Sequence, residues 1–161
     1  MPKATGPLTA LALAAGAATT AAAQQGSPLS AQSVADAFGA LGIQTQIGTD
    51  DYGDPYVELT PGGALPTDFG YVQFWECDQA GLCDSILMVA GYRPQRRPVH
   101  LDKINQWNVE HRWIRAYVDS ENYVIVDMDL SGYGGITPDA LNTQVTRFVG
   151  SVADFAAFIQ R

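Results

Sequence analysis

The stretch INQWNVEHRWIRAYVD, Ile104–Asp119, joins a predicted helix to a predicted strand and decides how the chain folds. Its first half has helical spacing of large apolar residues, whereas polar and apolar residues alternate from Trp113 onward. Asparagine amides can satisfy backbone groups where a helix end meets a sheet, and Trp107 brings a large apolar surface. The stretch offers no serine or cysteine nucleophile beside His111. We therefore expect a structural joint rather than a catalytic site, with ligand or partner contact as the alternative.

The segments around this joint predict an α+β domain in the order α-ββ-ββ-α-ββ-α. The expected architecture is an antiparallel sheet of about five strands with three helices packed on one face. In the last hairpin, the three-residue turn 120–122 places Arg115 opposite Asp127 and Tyr117 opposite Ile125. The predicted helices cover residues 30–42, with Ser30 or Ser33 as cap, 99–110, and 137–159, with Thr137 as cap. The predicted strands cover residues 43–47, 56–60, 69–76, 84–91, 113–119 and 123–130.

Strand alternation separates the core face of this sheet from a second face, and three helices are too few to cover both. The second face combines tryptophan, tyrosine and arginine with paired charges, as protein interfaces do. Scattered aromatic residues on a solvent face are the alternative. The partner expected there is a second copy of the chain, giving a homodimer, or a segment of another protein. The candidate partner face comprises Tyr71, Trp75, Trp113, Arg115, Tyr117 and Asp127.

The first residues have the layout of a secretory signal peptide. A single positive residue, Lys3, precedes an apolar run from Leu8 to Thr20, and three alanines at 21–23 supply an A-x-A cleavage pattern. We expect cleavage near Ala23, a flexible lead at 24–29 and a single domain at 30–161. The expected location is periplasmic or secreted. No second apolar run has spanning length, so the sequence predicts no membrane span.

Charge argues against one class of partner. The chain has 17 acidic and 9 basic residues, a net charge of −8, and nucleic-acid binding requires basic surfaces. The one basic cluster comprises Arg93, Arg96 and Arg97. It is a candidate anion-contacting loop for an acidic peptide, a phosphate or an anionic lipid head group, with a solvated loop as the alternative.

Cys77 and Cys83 are the two cysteines of the chain. An even count in an oxidising compartment favours a disulfide, and the intervening DQAGL is typical of a hairpin loop. Zinc binding and free thiols are the alternatives, although two sulfurs alone make a poor zinc site. The bond would hold the hairpin more than the domain, because the closed loop is short.

Two acidic groups could in principle hold a metal. The segment DDYGDPYVE, residues 50–58, lacks the spacing of a calcium loop, so a turn is the better interpretation. Asp127 and Asp129 share a strand face, but Arg115 opposite is already a partner for one of them. The sequence predicts no metal and no cofactor.

Four pieces in order resemble the YbjN-domain family, which is described as bacterial sensory transduction regulators. They are ALGIQTQIGTDDYGDPYVEL, FWECDQAGLCDSILMVAGY, LDKINQWNVEHRWIRAYVD and VIVDMDL. The resemblance covers about residues 31–159 and implies a fold similar to type III secretion chaperones. The family has no agreed reaction, cofactor or catalytic residue. Its strongest signature here comprises Asn105, Trp107, Asn108, Arg112, Tyr117 and Asp119.

The expected function is an exported, non-enzymatic binding or regulatory domain that acts through protein–protein contacts. The alternative is a small-molecule sensor or enzyme with a pocket near Trp107, Asn108 and Arg112.

Overall fold

The computed structural model describes residues 26–94 and 99–160. The predicted signal peptide at 1–23 and the two arginines Arg96 and Arg97 lie outside the described residues. Among the helices described, none combines the length and the apolar character that a membrane span requires.

The described residues form three helices and seven strands, which confirms the predicted α+β class. The helices are α1 Ala31–Gly39, α2 Leu101–Glu110 and α3 Pro138–Ile159. The strands are β1 Leu29–Ser30, β2 Thr45–Thr49, β3 Pro55–Leu59, β4 Phe69–Cys77, β5 Leu82–Tyr92, β6 Arg115–Val118 and β7 Val124–Ser131.

All seven strands join one antiparallel sheet, rather than the five expected. Six of them run in the order β2-β3-β4-β5-β7-β6. The seventh, β1, pairs with Leu82 and Cys83, beyond the end of the β5–β7 ladder at Ser85. A strand of two residues is too short to show alternation, so it left no signal in the sequence.

Capping residues begin two of the helices as predicted. The Ser30 side chain accepts a hydrogen bond from the Ser33 backbone N–H, and Ser33 reciprocates to complete a capping box. Thr137 caps α3, with Pro138 in the first turn. The buried face of α3 then presents Leu141, Val145, Phe148, Val152 and Phe155.

The core lies between the helices and one face of the sheet. Alternate residues of the three central strands are fully buried there, against Phe38 of α1 and Phe148 and Phe155 of α3. The predicted register of the last hairpin is confirmed, with Arg115 opposite Asp127 and Tyr117 opposite Ile125. The sheet residues of this core include Val72, Phe74, Ile86, Met88, Val126 and Met128.

The residues before α1 differ from the flexible lead expected at 24–29. Of that lead, residues 26–29 are described, and backbone hydrogen bonds of 3.0 and 2.9 Å join Ser27 to Ile136. A Cβ on Gly26 would lie 2.4 Å from the Gly135 backbone, so the two glycines permit this close approach. Leu29 is fully buried. These residues therefore belong to the domain.

Candidate functional site

One face of the sheet carries no helix among the described residues; we call it the open face. Val89 and Ile125 lie on it, and both are buried without joining the core under the helices. Neighbouring side chains of the same face therefore cover them. The open face comprises Tyr56, Phe69, Tyr71, Trp75, Val89, Arg115, Tyr117, Tyr123, Ile125 and Asp127.

A buried ion pair lies on the open face where β7 meets the outer strand β6. Asp127 is 1% exposed, and Arg115 donates from Nε to Oδ1 at 2.6 Å and from Nη2 to Oδ2 at 3.0 Å. The Arg115 side chain itself is 64% exposed. The sequence placed Asp127 on the candidate partner face, opposite Arg115; the structure buries it beneath Arg115, because a two-point contact covers both carboxylate oxygens. The group exposed at this position is therefore the guanidinium.

Two tyrosines border this ion pair. Burial raises the pKa of Tyr71 above its usual range, and the charge of Asp127 raises it further. Burial also raises the pKa of Tyr117, and the charge of Asp127 adds to the effect. Both phenols therefore remain neutral hydrogen-bond donors at physiological pH, which suits recognition and not general-base catalysis.

A row of aromatic rings lies on the β3 and β4 part of the open face. Tyr56 stacks on Tyr71 with ring centroids 5.7 Å apart, and Phe69 stacks on Tyr71 at 6.3 Å. The Phe69 ring lies across Gly91, where a Cβ would come within 2.0 Å of the ring. Tyr56 and Phe69 were missed from the candidate partner face. Phe69 lies two residues before Tyr71 on β4, so the same alternation places it on this face. Cross-strand pairing of β4 with β3 would likewise have indicated Tyr56.

The two exposed tryptophans lie in different places. Trp75, 52% exposed, extends the open face along β4 toward the cysteine hairpin. Trp113 instead has the guanidiniums of Arg112 and of Arg147 within 4.9 and 4.7 Å of its ring. Because Arg147 belongs to α3, Trp113 lies at the end of the sheet toward the helices. Alternation alone predicted Trp113 on the open face. The structure does not place it there.

The joint between α2 and β6 depends on Asn108. Its Oδ1 accepts from the Ala116 N–H at 2.7 Å, and its Nδ2 donates to the Ala116 carbonyl at 2.9 Å. One amide thus satisfies both backbone groups that Ala116 directs away from β7.

Trp107 fills the space beneath this joint and is 1% exposed. Its ring lies 4.9 Å from Phe155 and 5.5 Å from Phe158 of α3, and His111 stacks on it at 3.4 Å. The indole N–H has no hydrogen-bond partner among the described residues. Its apolar contacts therefore account for the role of Trp107.

The other signature residues do not join this cluster. Arg112 lies beyond the end of α2 at Glu110, and Asn105 is exposed on that helix. Asp119 holds the hairpin turn, since its Oδ1 accepts from the backbone N–H groups of Glu121 and Tyr123.

A shallow cleft of about 290 Å³ lies beside the joint. Asn108, Arg112 and Arg115 contribute to its walls, whereas Trp107 does not. Its lining includes no serine or cysteine nucleophile. In the described part of the chain, no group of three or more histidine, cysteine or acidic residues is arranged to hold a metal ion.

The cysteine pair and the basic loop, the two remaining candidates, lie away from the Arg115–Asp127 ion pair. Cys77 and Cys83 are directly paired across β4 and β5 and form a disulfide. The Arg93 backbone N–H donates to Asp68 Oδ2 at 2.7 Å, while the other two arginines of the basic loop are outside the described residues.

The comparisons with known proteins show the family. The model of the YbjN family, described as "Putative bacterial sensory transduction regulator", matches residues 30–161. The chain belongs to this family, which confirms the resemblance seen in the sequence. A search of curated proteins found no match.

Two solved structures are similar. The crystal structure of YbjN from E. coli, "a putative transcription regulator", aligns with a TM-score of 0.53 and 13% identity, covering 80% of this chain and 87% of that one. The Yersinia pestis type III secretion chaperone SycH, in complex with a stable fragment of YscM2, aligns with a TM-score of 0.46 and 13% identity. That alignment covers 76% of this chain and 96% of SycH.

Proposed function

We propose that this protein is an exported, non-enzymatic binding and regulatory domain whose open face contacts another protein. The observation that carries the proposal is the composition of that face. An exposed Trp75, a partly exposed Tyr117 and the guanidinium of Arg115 surround a centre that is already buried. Tryptophan, tyrosine and arginine contribute most of the binding energy at protein interfaces.

The ion pair reduces the cost of binding at this face. Asp127 is already removed from water and paired, so a partner does not have to desolvate a free carboxylate. Arg115 uses Nε and Nη2 on Asp127, which leaves other N–H donors of its guanidinium for an acceptor on the partner. A backbone carbonyl or carboxylate of an extended protein segment supplies such an acceptor.

The partner class is a protein segment or a second copy of this chain. A net charge of −8 disfavours nucleic acid. Membership of a family described as sensory transduction regulators supports a regulatory role. Export rests on the pattern of residues 1–23, and the N-terminal sequence of the protein recovered from the periplasm tests it directly.

A second candidate is a small-molecule sensor that uses the cleft beside Asn108 and Arg112. The polar walls of that cleft favour it. It ranks second because Trp107 fills the space beneath and leaves the cleft shallow. A ligand that raises the melting temperature of the protein, but not that of Arg112→Gln, would establish it.

Site-specific photocrosslinking in living cells tests the primary proposal. We expect a crosslinkable phenylalanine analogue at position 75 or 117 to give one discrete adduct. The same analogue at the exposed Tyr133, on the loop after β7, serves as the matched control and should give none. Trp75→Glu should also abolish the adduct formed at position 117. Adducts of equal yield at all three positions, or no adduct at the open face, would refute the proposal.

A further inference from the structure

The two outer strands of the sheet end it in different ways. At β6, Asn108 bonds to both backbone groups that Ala116 directs outward. At the other end, β2 pairs with β3 on one side and with no described strand on its other side. At one edge of the sheet a side chain thus occupies the outward groups of Ala116, and at the other edge no described residue makes such a contact within residues 26–94 and 99–160.

The hydrogen bonds of β2 show which backbone groups face outward. The Gln44 carbonyl accepts from the Thr60 N–H at 2.9 Å, and the Asp50 N–H donates to the Asp54 carbonyl at 2.9 Å. In an antiparallel pair, residues bond inward and outward in alternation. The even-numbered residues of β2 therefore bond to β3, and the odd-numbered Thr45, Ile47 and Thr49 direct their N–H and C=O groups out of the sheet.

This edge lacks the devices that usually prevent strand pairing. Its sequence, TQIGT, contains no charge and no proline, and its register with β3 runs without a bulge from Thr45 to Thr49. Ile47, the central residue, is 45% exposed although its cross-strand partner Val57 is buried in the core. Natural proteins seldom leave a flat, uncharged and partly apolar edge unprotected unless another strand pairs with it.

We infer that β2 pairs antiparallel with β2 of a second copy of the chain, about a twofold axis through Ile47. In this register Ile47 faces Ile47 of the other copy, and Thr45 faces Thr49. All three outward-facing residues of each copy then meet outward-facing residues, which gives about six backbone hydrogen bonds, two for each facing pair. The two sheets become one continuous sheet.

The side chains fit the same register. Gln44 of one copy faces Asp50 of the other, so an amide donor meets a carboxylate and no like charges are opposed. The two Ile47 side chains lie directly opposite each other on the helix side of the sheet and bury the exposed aliphatic surface of β2. A strand that is complementary to itself about its centre is what a twofold interface requires.

This pairing goes beyond the proposed function and uses a different surface. The open face of each copy remains accessible on the joined sheet, so it is free for a protein segment. The pairing of β2 and the binding of a protein at the open face can therefore be tested independently, and one can be wrong while the other is right.

Light scattering of the protein expressed with its native N-terminus, over a range of concentrations, tests the inference. We expect a dimer, and we expect Ile47→Lys or Ile47→Glu alone to weaken it at least about a hundredfold, because two like charges then face each other. Mixing equal amounts of the two variants should restore the dimer, since lysine faces glutamate only in this register. Val109→Lys, which places the same charge on a residue of α2 that is 87% exposed, is the matched control and should remain dimeric.

Three outcomes would overturn the inference. One is a wild-type monomer at every concentration. Another is a dimer that Ile47→Lys leaves intact but Trp75→Glu dissociates, which would assign self-association to the open face and leave the proposed function standing. The third is a pair of monomeric variants that do not recombine on mixing. Far-UV circular dichroism spectra that match the wild type establish that each Ile47 variant remains folded.

Discussion

The two faces of the sheet bury residues by different means. On the face under the helices, burial comes from α1, α2 and α3, and the side chains are almost entirely apolar. On the open face, Val89 and Asp127 are buried by side chains of the sheet itself. Burial of a residue is therefore a poor guide to which face of this sheet is available to a partner.

The difference also separates stability from recognition. The covered face gains stability from removing apolar surface from water, an effect that grows with area. The open face gains stability from one ion pair and from aromatic contacts, both of which depend on geometry. A partner that binds there can add further contacts of the same kinds. Substitutions on the two faces should consequently differ in size and in their response to pH.

The largest loss is expected on the covered face, from Trp107→Ala. Removing a fully buried indole that packs on Phe155 and Phe158 leaves a cavity and should lower the free energy of unfolding by about 3–5 kcal/mol. Urea denaturation measures it. Val109→Ala, two residues along the same helix and 87% exposed, should change it by less than about 0.5 kcal/mol. Equal effects of the two substitutions would show that Trp107 does not anchor the joint.

A smaller loss is expected at the ion pair of the open face, from Arg115→Gln. It leaves Asp127 buried without its charged partner and should cost about 1.5–3 kcal/mol in the same assay. Asp127→Asn should cost less, because the mostly exposed Arg115 can return to water. Arg112→Gln, at an arginine with no carboxylate partner among the described residues, is the control. A larger loss from Asp127→Asn than from Arg115→Gln would contradict this account of the pair.

The smallest effect is a pH dependence that belongs to the open face. The raised pKa of Tyr117 means that the folded state favours the neutral phenol. The contribution of this phenol to stability is therefore complete below about pH 10 and is lost as pH rises through the folded-state pKa. The denaturation midpoint should therefore fall in alkali, and less steeply for Tyr117→Phe than for the wild type. Tyr52→Phe, at a side chain exposed on the β2–β3 turn, is the control. Identical slopes for all three proteins would count against a partly buried phenol beside Asp127.

Local rules predicted the elements that local sequence controls. Ser30 and Thr137 supply cap oxygens next to the first helical turn, so each helix start was readable from a few residues. The three-residue turn set the register of Arg115 and Asp127, because hairpin register follows loop length. The structure places five of the six candidate residues on the open face and leaves out Trp113, because alternation assigns a residue to a face only within a strand. Trp113 lies before the start of β6, so alternation did not apply to it.

By itself, the sequence determined the family, the α+β class, the order of the main elements and the need for an amide where α2 meets β6. These follow from periodicity, turn chemistry and residue type, which act over a few neighbouring positions. Only the tertiary structure decided that Asn108 bonds to the outward groups of Ala116 at one edge of the sheet while β2 has no strand beside it at the other, and that Asp127 is buried under Arg115. Those features depend on strand order and on contacts between residues far apart in the chain, and no local pattern encodes which strand comes to lie at an edge.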